Sequence, residues 1–519
     1  MQLFRYRGAA HNECNLQARK NYTIPCVMHN FFGYDIHLLI RHMAKYLPNK
    51  MNVIAKTSEN YVTISLSLPG TWMRLLFLDS YKFLQASLAS LANLLPNEDK
   101  QLIQDLYPEK YQLLLKKLCF PYEYVTDWDL LEQTKLPPRD KFYSQLSGDQ
   151  ISPEEYSHTQ EVWDTFQVNT LGELADLYLK IDVLLLTCVF EKFRLQCLKT
   201  YHLDPAHYLT LPGLSWDAML RYTRVRLKII KDVEIHTFLE RGLRGGFSCT
   251  IRKFVKANNK FVADYRRELP NTYIMYYDVN NLYGGIMEKS FPYRGFRWVR
   301  EPEKFDIFEN KNRHIGYILE VDVHIPPTLH NYFSDLPPLL TREDLGNGVK
   351  LLGTLHPKEK YVIHIDMLKF VVSLGVVVTK IHRVLRFYQK PILRKYMRLN
   401  SKLRRNTTNP FERNQYKLMN NSIFGKTLQN NRKHENIILA TKWKQASRLI
   451  AKPNFHRATI FSEDLVAIHM KKTSVTLNQP IYIGFTVLEL AKQMVWNFHY
   501  NFILKNLKAD LCYTGKLNI

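Results

Sequence analysis

Hydrophobic and polar positions along this chain fall into blocks that read as successive elements. Ile24-Pro-Cys-Val-Met-His29 predicts a strand, the residues from Asn30 a turn, and Ile36–Leu47 a helix. A hairpin follows from Val62 to Phe77, turning at Pro69-Gly70, and Asp79-Ser80 leads into a helix carrying Ser87-Leu-Ala-Ser-Leu91. Residues 96–160, rich in Pro, Asp and Glu, predict irregular chain with short helices. From Leu171 to about Leu198, Leu174, Leu177, Ile181, Leu184 and Cys188 keep helical spacing. The residues through Asn21 predict a polar loop.

The Pro- and Gly-punctuated stretch His202–Trp216 predicts a domain boundary, with a helix Trp216–Lys228 after it. Five β-prone residues, Tyr273–Tyr277, then run into Asp278 and a loop. That order predicts a buried strand delivering one carboxylate to its exposed C-terminal end, where ligands of α/β sheets usually sit. Strict alternation of Tyr317, Leu319, Val321, Val323 and Ile325 predicts a half-buried strand with Glu320 and Asp322 on its solvated face. Pro391 suits the first turn of a helix with the apolar stripe Ile392, Tyr396, Leu399 and Leu403. Another helix holds Lys417–Lys426, residues 430–480 predict a small β-rich segment, and a helix opens at Gly484 and ends near Asn506. Ala509–Tyr513 should begin a last strand.

With 519 residues the chain can bury several cores, so two or more domains are expected. A net charge of +24 favours a polyanionic partner. No apolar run approaches the length that spans a bilayer, and Met1-Gln-Leu-Phe-Arg-Tyr-Arg is not a secretory signal. Seven cysteines without a C-x-x-C pair fit a reduced intracellular protein, nuclear or cytoplasmic, with no zinc site and no membrane partner.

Several patterns carry chemistry, each beside a plainer reading. Asp278 at a strand end suits a divalent metal clamping phosphate oxygens, or simply caps the next turn. Asn30-x-x-x-Tyr34-Asp35 gathers an amide, a phenol and a carboxylate at a strand-to-helix junction, where Asp35 would equally serve as an N-cap. Tyr178 and Asp182 share one helix face and could orient a metal-bound water, or lie on a solvated face. Paired Gly245-Gly246 after Arg244 would let a backbone approach a phosphate, or make an ordinary turn. From Lys380 to Arg405 there is no Asp or Glu, and Arg394, Arg398, Lys402 and Arg405 share a face that wants an anion. Lys417, Asn421 and Phe424/Gly425 share another, suited to a nucleotide, and a glycine inside that helix implies close packing there.

Taken together and in order, these stretches resemble the protein-primed branch of family-B DNA polymerases, of the organellar, viral and Maverick/Polinton transposon type. Asp278-x-x-Asn-Leu-Tyr283-Gly looks like the first polymerase motif, whose Asp binds catalytic metals and whose Tyr excludes ribose 2′-hydroxyls; Asn281 and Gly284 stand where Ser and Pro are usual. Lys417-x-x-x-Asn421-Ser422-x-Phe424-Gly425 is similar to the second, which grips the incoming triphosphate. Asn30-x-x-x-Tyr34-Asp35 and Tyr178-x-x-x-Asp182 resemble the second and third exonuclease motifs, Ser87-Leu88 an element that holds the frayed primer end, and Arg244-Gly245-Gly246 a template-contacting link.

The resemblance implies an α/β and α+β multidomain fold, an RNase H-like exonuclease remnant followed by palm and fingers with insertions. Its segments would be 1–200 exonuclease-like, 201–289 palm, 290–384 an insertion contacting a priming terminal protein, 385–429 fingers, 430–480 a second insertion and 481–519 palm again. It implies template and primer DNA and deoxynucleoside triphosphates as partners, and Mg²⁺ in a two-metal site built from Asp278, with Asp35 and Asp182 as exonuclease ligands. Two departures stand against it. The first exonuclease motif, Asp-x-Glu, has no counterpart, and the third polymerase motif, Tyr-x-Asp-Thr-Asp-Ser, is met by Tyr513-Thr514-Gly515-Lys-Leu-Asn-Ile519. The expectation is a catalytically incomplete piece of such an enzyme; the alternative is a non-catalytic nucleic-acid-binding product of a decayed or domesticated mobile element.

Overall fold

The computed structural model describes residues 22–46, 51–55, 61–145, 148–250, 254–309, 312–346, 348–433, 436–463, 465–507 and 514–516. The polar loop expected through Asn21 and the last strand expected at Ala509–Tyr513 lie outside them. The fold is a mixed α/β one in two compact units. One comprises Met1–Leu214, Arg404–Tyr416 and Asn430–Thr476; the other comprises Ser215–Leu403, Lys417–Gln429 and Leu477–Ile519.

The first unit is built on a four-stranded sheet in the order Tyr22–Met28, Met73–Asp79, Tyr61–Ser67, Met51–Ala55. Tyr22–Met28 runs parallel to Met73–Asp79, in register Met28↔Asp79, so both strand ends reach the same edge. The expected hairpin forms, and Gly70 takes φ +68° at its turn. Ile36, Ile40 and Ala44, one turn apart on helix Asp35–Tyr46, are buried with Phe31, Tyr61 and Ile64. Ile437, Leu465 and Ala467, from the antiparallel sheet of 436–470, enter the same core.

The long helix Leu171–Tyr201 is N-capped by Thr170, whose hydroxyl accepts from Glu173 N, and ends at His202 in the left-handed conformation. Residues 96–160 are less irregular than expected, because Pro153–Thr165 is a helix. Its start was written in Ser152-Pro-Glu-Glu155, a capping box with Pro at the first turn. Few apolar residues mark the rest of it, which hides its period.

In the second unit an antiparallel sheet runs in the order Lys358–His364, Ile315–His324, Val377–Lys390, Phe291–Trp298. Leu319, Val321 and Val323 pack with Leu368 and Val371 of helix Ile365–Ser373 and with Trp496 of helix Ile481–Asn497. Glu320 is not on a solvated face: it is 3% exposed, and its carboxylate accepts two bonds from Arg383 at 2.8 and 3.0 Å and one ion pair from Arg241 at 3.1 Å. Asp322 accepts from Lys360 N and pairs with His382.

Three helix boundaries move. The helix expected at Trp216–Lys228 is Leu211–Thr223, and Arg224 takes φ +52° to end it. Residues 225–231 then belong to no helix or strand; Arg224, Arg226 and Lys228 alternate with Val225 and Leu227, a period of two rather than 3.6. The helix expected from Pro391 starts at Arg394, so Lys380, Arg383, Arg386 and Lys390 belong to a strand. The helix expected to open at Gly484 opens at Ile481, and Gly484 is inside it. A Cβ there would lie 2.4 Å from Leu428 Cδ2, so glycine lets the two segments close on each other.

Candidate functional site

Asn281 adopts the left-handed conformation (φ 57°, ψ 46°) and starts the short helix Leu282–Ile286. This turn aims Tyr283 at helix Pro410–Thr427, where its ring stacks on Phe424 with 4.8 Å between centroids and 7° between planes. Tyr283 Oη is buried without a hydrogen bond among the described residues, and burial pushes its phenol above its ordinary range. On the same helix Lys417, Asn421 and Gly425 are exposed, while Met419, Asn420 and Ile423 are buried. The helical spacing therefore presents a cation, an amide and an aromatic on one face. Asn420, buried on the side of the helix that adjoins this face, accepts at its Oδ1 from Asn400 Nδ2 at 2.8 Å. Among the described residues, nothing outside its own helix backbone and chain neighbours lies within 4 Å of a Cβ placed on Gly425, so none of them makes the close packing expected there.

Asp278 does not stand at the end of a buried strand. Tyr273–Asp278 joins no strand among the described residues, and its side chains are exposed, up to 88% at Tyr276. Tyr277 meets the Phe498 ring edge-on, 5.7 Å between centres. High β propensity becomes a strand only when neighbouring strands take its backbone groups, and none of the described ones does.

In the first unit Asn30 is left-handed (φ 56°) and exposed, and Asp35 is exposed in the first turn of its helix. The turn between them is held by Asp79, a residue the sequence reading gave no role. Buried at the end of its strand, it accepts from Asn30 N at 2.8 Å, Phe32 N at 3.4 Å and Tyr81 N at 3.0 Å. Beside it His29 bridges Ser80 Oγ (2.9 Å) and Ala86 O (3.0 Å).

Tyr178 and Asp182 share their helix face as expected, but the face is not solvated. Tyr178 is buried, edge-on to Tyr122 at 5.6 Å, and burial raises its phenol above its ordinary range. Asp182 pairs with Lys117 at 2.9 Å, and the same ammonium lies 5.2 Å from the Tyr178 ring. Lys117 was not legible as a site residue, because its partners lie far off in sequence.

Other expected contacts are committed to the fold. Arg244 is 8% exposed; its Nη1 donates to Val362 O at 2.8 Å and its guanidinium lies 3.6 Å from the Tyr361 ring centre. It offers no charge to a phosphate, whereas Gly245 beside it is open. Ser87 is an N-cap, accepting from Ser90 N, and Leu88 is core. On helix Arg394–Asn406, Glu288 answers two of the four cations: its carbonyl accepts from Arg394 Nε and its carboxylate from Arg398 Nε, both at 2.8 Å. Lys402 and Arg405 are exposed.

Among the described residues no group of three His, Cys, Asp or Glu is placed to hold a metal ion. Asp278, Asp35 and Asp182 stand in no such group, so the described residues do not fit a two-magnesium set. No described helix is long and apolar enough to cross a membrane.

A comparison with curated proteins finds no match. Among solved structures the chain is similar to Phi29 DNA polymerase in its orthorhombic crystal form, at 14% identity and TM-score 0.49, over 95% of this chain and 72% of that one. It is similar at 15% identity and TM-score 0.48, over the same shares, to Phi29 DNA polymerase complexed with primer-template DNA and incoming nucleotide substrates. The complex with single-stranded DNA gives 14% and 0.47, over 94% and 72%. A family model described as DNA polymerase type B, organellar and viral, matches residues 16–495. The chain therefore belongs to the type B DNA polymerases of the organellar and viral kind, DNA-directed nucleotidyltransferases by family.

Proposed function

We propose that this polymerase is of the protein-primed type and holds its incoming nucleotide on the face built by Tyr283, Phe424, Lys417 and Asn421. The parallel stack of Tyr283 on Phe424 carries the reading, because it joins the two polymerase motifs into one surface. There the Lys417 ammonium takes the triphosphate, Asn421 offers an amide one turn on, and the Tyr283 ring occupies the space a ribose 2′-hydroxyl would need. The orphaned Tyr283 hydroxyl supports a polar ligand at this place, since a buried donor left unpaired is costly. Template and primer DNA are the partners that the family's reaction requires, and the Tyr178–Asp182–Lys117 cluster is the place for a 3′ end in the first unit.

The reading is tested by equilibrium binding of deoxy- and ribonucleoside triphosphates to the full chain on primer-template DNA. Lys417→Ala should weaken both roughly tenfold or more, the worth of a charge-assisted hydrogen bond. Tyr283→Val should narrow the preference for the deoxy form. Unchanged binding in both variants overturns the site. One observation favours a second reading, nucleic-acid binding without transfer: the described carboxylates make no metal group. Primer extension by the full chain, lost in Asp278→Asn, would reject it.

A further inference from the structure

Strand Val377–Lys390 changes character along its length. In its first half the cations stand opposite acids of strand Ile315–His324, in register Lys380↔Asp322 and Arg383↔Glu320. In its second half Arg386 stands opposite Tyr317 on one side and Arg297 on the other. A like-charged pair directly across two strands is destabilising. Arg294, Arg297, Arg386 and Lys390 form no ion pair with a carboxylate among the described residues.

Two tyrosines are set between these cations. The guanidiniums of Arg386 and Arg294 lie 4.9 and 5.7 Å from the Tyr388 ring, and the Lys390 ammonium lies 4.5 Å from the Tyr293 ring. Tyr388 is 39% exposed. It lies across Gly295, whose φ of +72° and missing Cβ leave room for the ring: a Cβ there would be 2.4 Å from Tyr388 Cδ2. Arg386, with Arg297 and Arg294 beyond it, draws the Tyr388 phenol below its ordinary value. On the outer edge Lys228 N donates to Tyr293 O, which brings the exposed cations of 224–231 alongside.

Charges that only guard a sheet edge would explain Arg294 and Arg297, because strand Phe291–Trp298 is outermost. They do not explain Arg386, which is on an inner strand. We propose that this face, Tyr293, Arg294, Arg297, Arg386, Tyr388 and Lys390, is a binding surface for single-stranded DNA, separate from the nucleotide face. Its cations take phosphates, and the Tyr388 ring stacks an unpaired base. Duplex DNA hides its bases from such a ring, and an acidic protein segment would not need one.

The test is fluorescence anisotropy of the full chain with labelled oligothymidine and with a duplex of equal length. Tyr388→Leu should weaken oligothymidine binding roughly 5–100-fold while duplex affinity stays within about twofold. Tyr388→Phe, which keeps the ring, should bind as the parent does. The double variant Arg297→Gln/Arg386→Gln should lower the slope of log affinity against log salt by roughly 1.4. Unchanged oligothymidine affinity in Tyr388→Leu, or equal losses on single strand and duplex, overturns the proposal, as does loss of poly-glutamate binding alone. If Tyr388→Leu melts early because Gly295 is uncovered, the arginine pair decides: an unchanged salt slope overturns it. Nucleotide binding is expected to be unaffected in all three variants, so failure here leaves the Tyr283 site standing, and the reverse.

Discussion

The rings of Tyr283 and Phe424 lie parallel within 7°, their centres 4.8 Å apart, although they stand on different helices about 140 residues apart in sequence. This contact turns two separate sequence signals into one face. Aromatic pairs contribute about 0.5–1.5 kcal/mol beyond the area they bury. A double-mutant cycle with Tyr283→Leu and Phe424→Leu, read by denaturant unfolding, should return a coupling of that size. Strict additivity would mean that the rings only adjoin.

Two glycines should respond to alanine in opposite directions. Gly484→Ala puts a methyl against Leu428 and Thr427 in a buried helix and should cost about 1–3 kcal/mol. Gly425→Ala meets open space on an exposed helix face and should stabilise by about 1 kcal/mol. If Gly425 is there to admit a nucleotide, the same alanine should weaken triphosphate binding while it raises the unfolding midpoint.

Glu320 holds Arg383 through two hydrogen bonds and Arg241 through a third contact, inside the second unit. Removing a buried carboxylate strands its partners, but Arg241 is half exposed and can hydrate. Glu320→Ala should therefore destabilise by about 2–4 kcal/mol in urea unfolding. A loss below about 1 kcal/mol would place the carboxylate's role elsewhere.

Glu489 and Lys492 form a pair buried on helix Ile481–Asn497, 2.6 Å apart, and Glu489 also accepts from His364 N at 3.2 Å. Burial holds the Lys492 ammonium below its ordinary range. Glu489→Ala leaves a buried cation and an unmatched N–H and should cost about 3–5 kcal/mol. Glu489→Gln with Lys492→Met should recover much of that loss, since it removes both charges together.

Burial also lowers the pKa values of His29, His158 and His499 below 6.5. Below pH 6.5 the unfolded chain takes up protons that the folded chain refuses, so the number bound is larger in the unfolded state. Stability from these groups is complete above about pH 6.5 and is lost as pH falls through the folded values. Melting temperature should drop between about pH 7 and 5.5, and His499→Gln should flatten the drop. A melting temperature that rises on acidification across that window would contradict the sign.

Much of the local architecture is legible in particular residues. Ser152 and Glu155 write a helix start, Thr170 another, and Pro69-Gly70 a hairpin turn. Helical spacing alone puts Lys417, Asn421 and Phe424 on one face, and the chain's structure keeps them there. Tyr273–Tyr277 shows the limit of such reading. Its side chains favour a strand, but a strand's backbone is satisfied by neighbours that no local pattern specifies.

The sequence by itself determined the family, the order of its motifs and the excess of positive charge, because residue identity and spacing are one-dimensional properties. Which of those charges remain available was decided by tertiary structure. Glu320 neutralises Arg383, Glu288 neutralises Arg398, and Tyr361 and Val362 enclose Arg244. Arg386 meets Arg297 instead, and Lys417 meets solvent. A charge belongs to its residue, but its availability to a ligand depends on burial and on partners that only folding brings within reach.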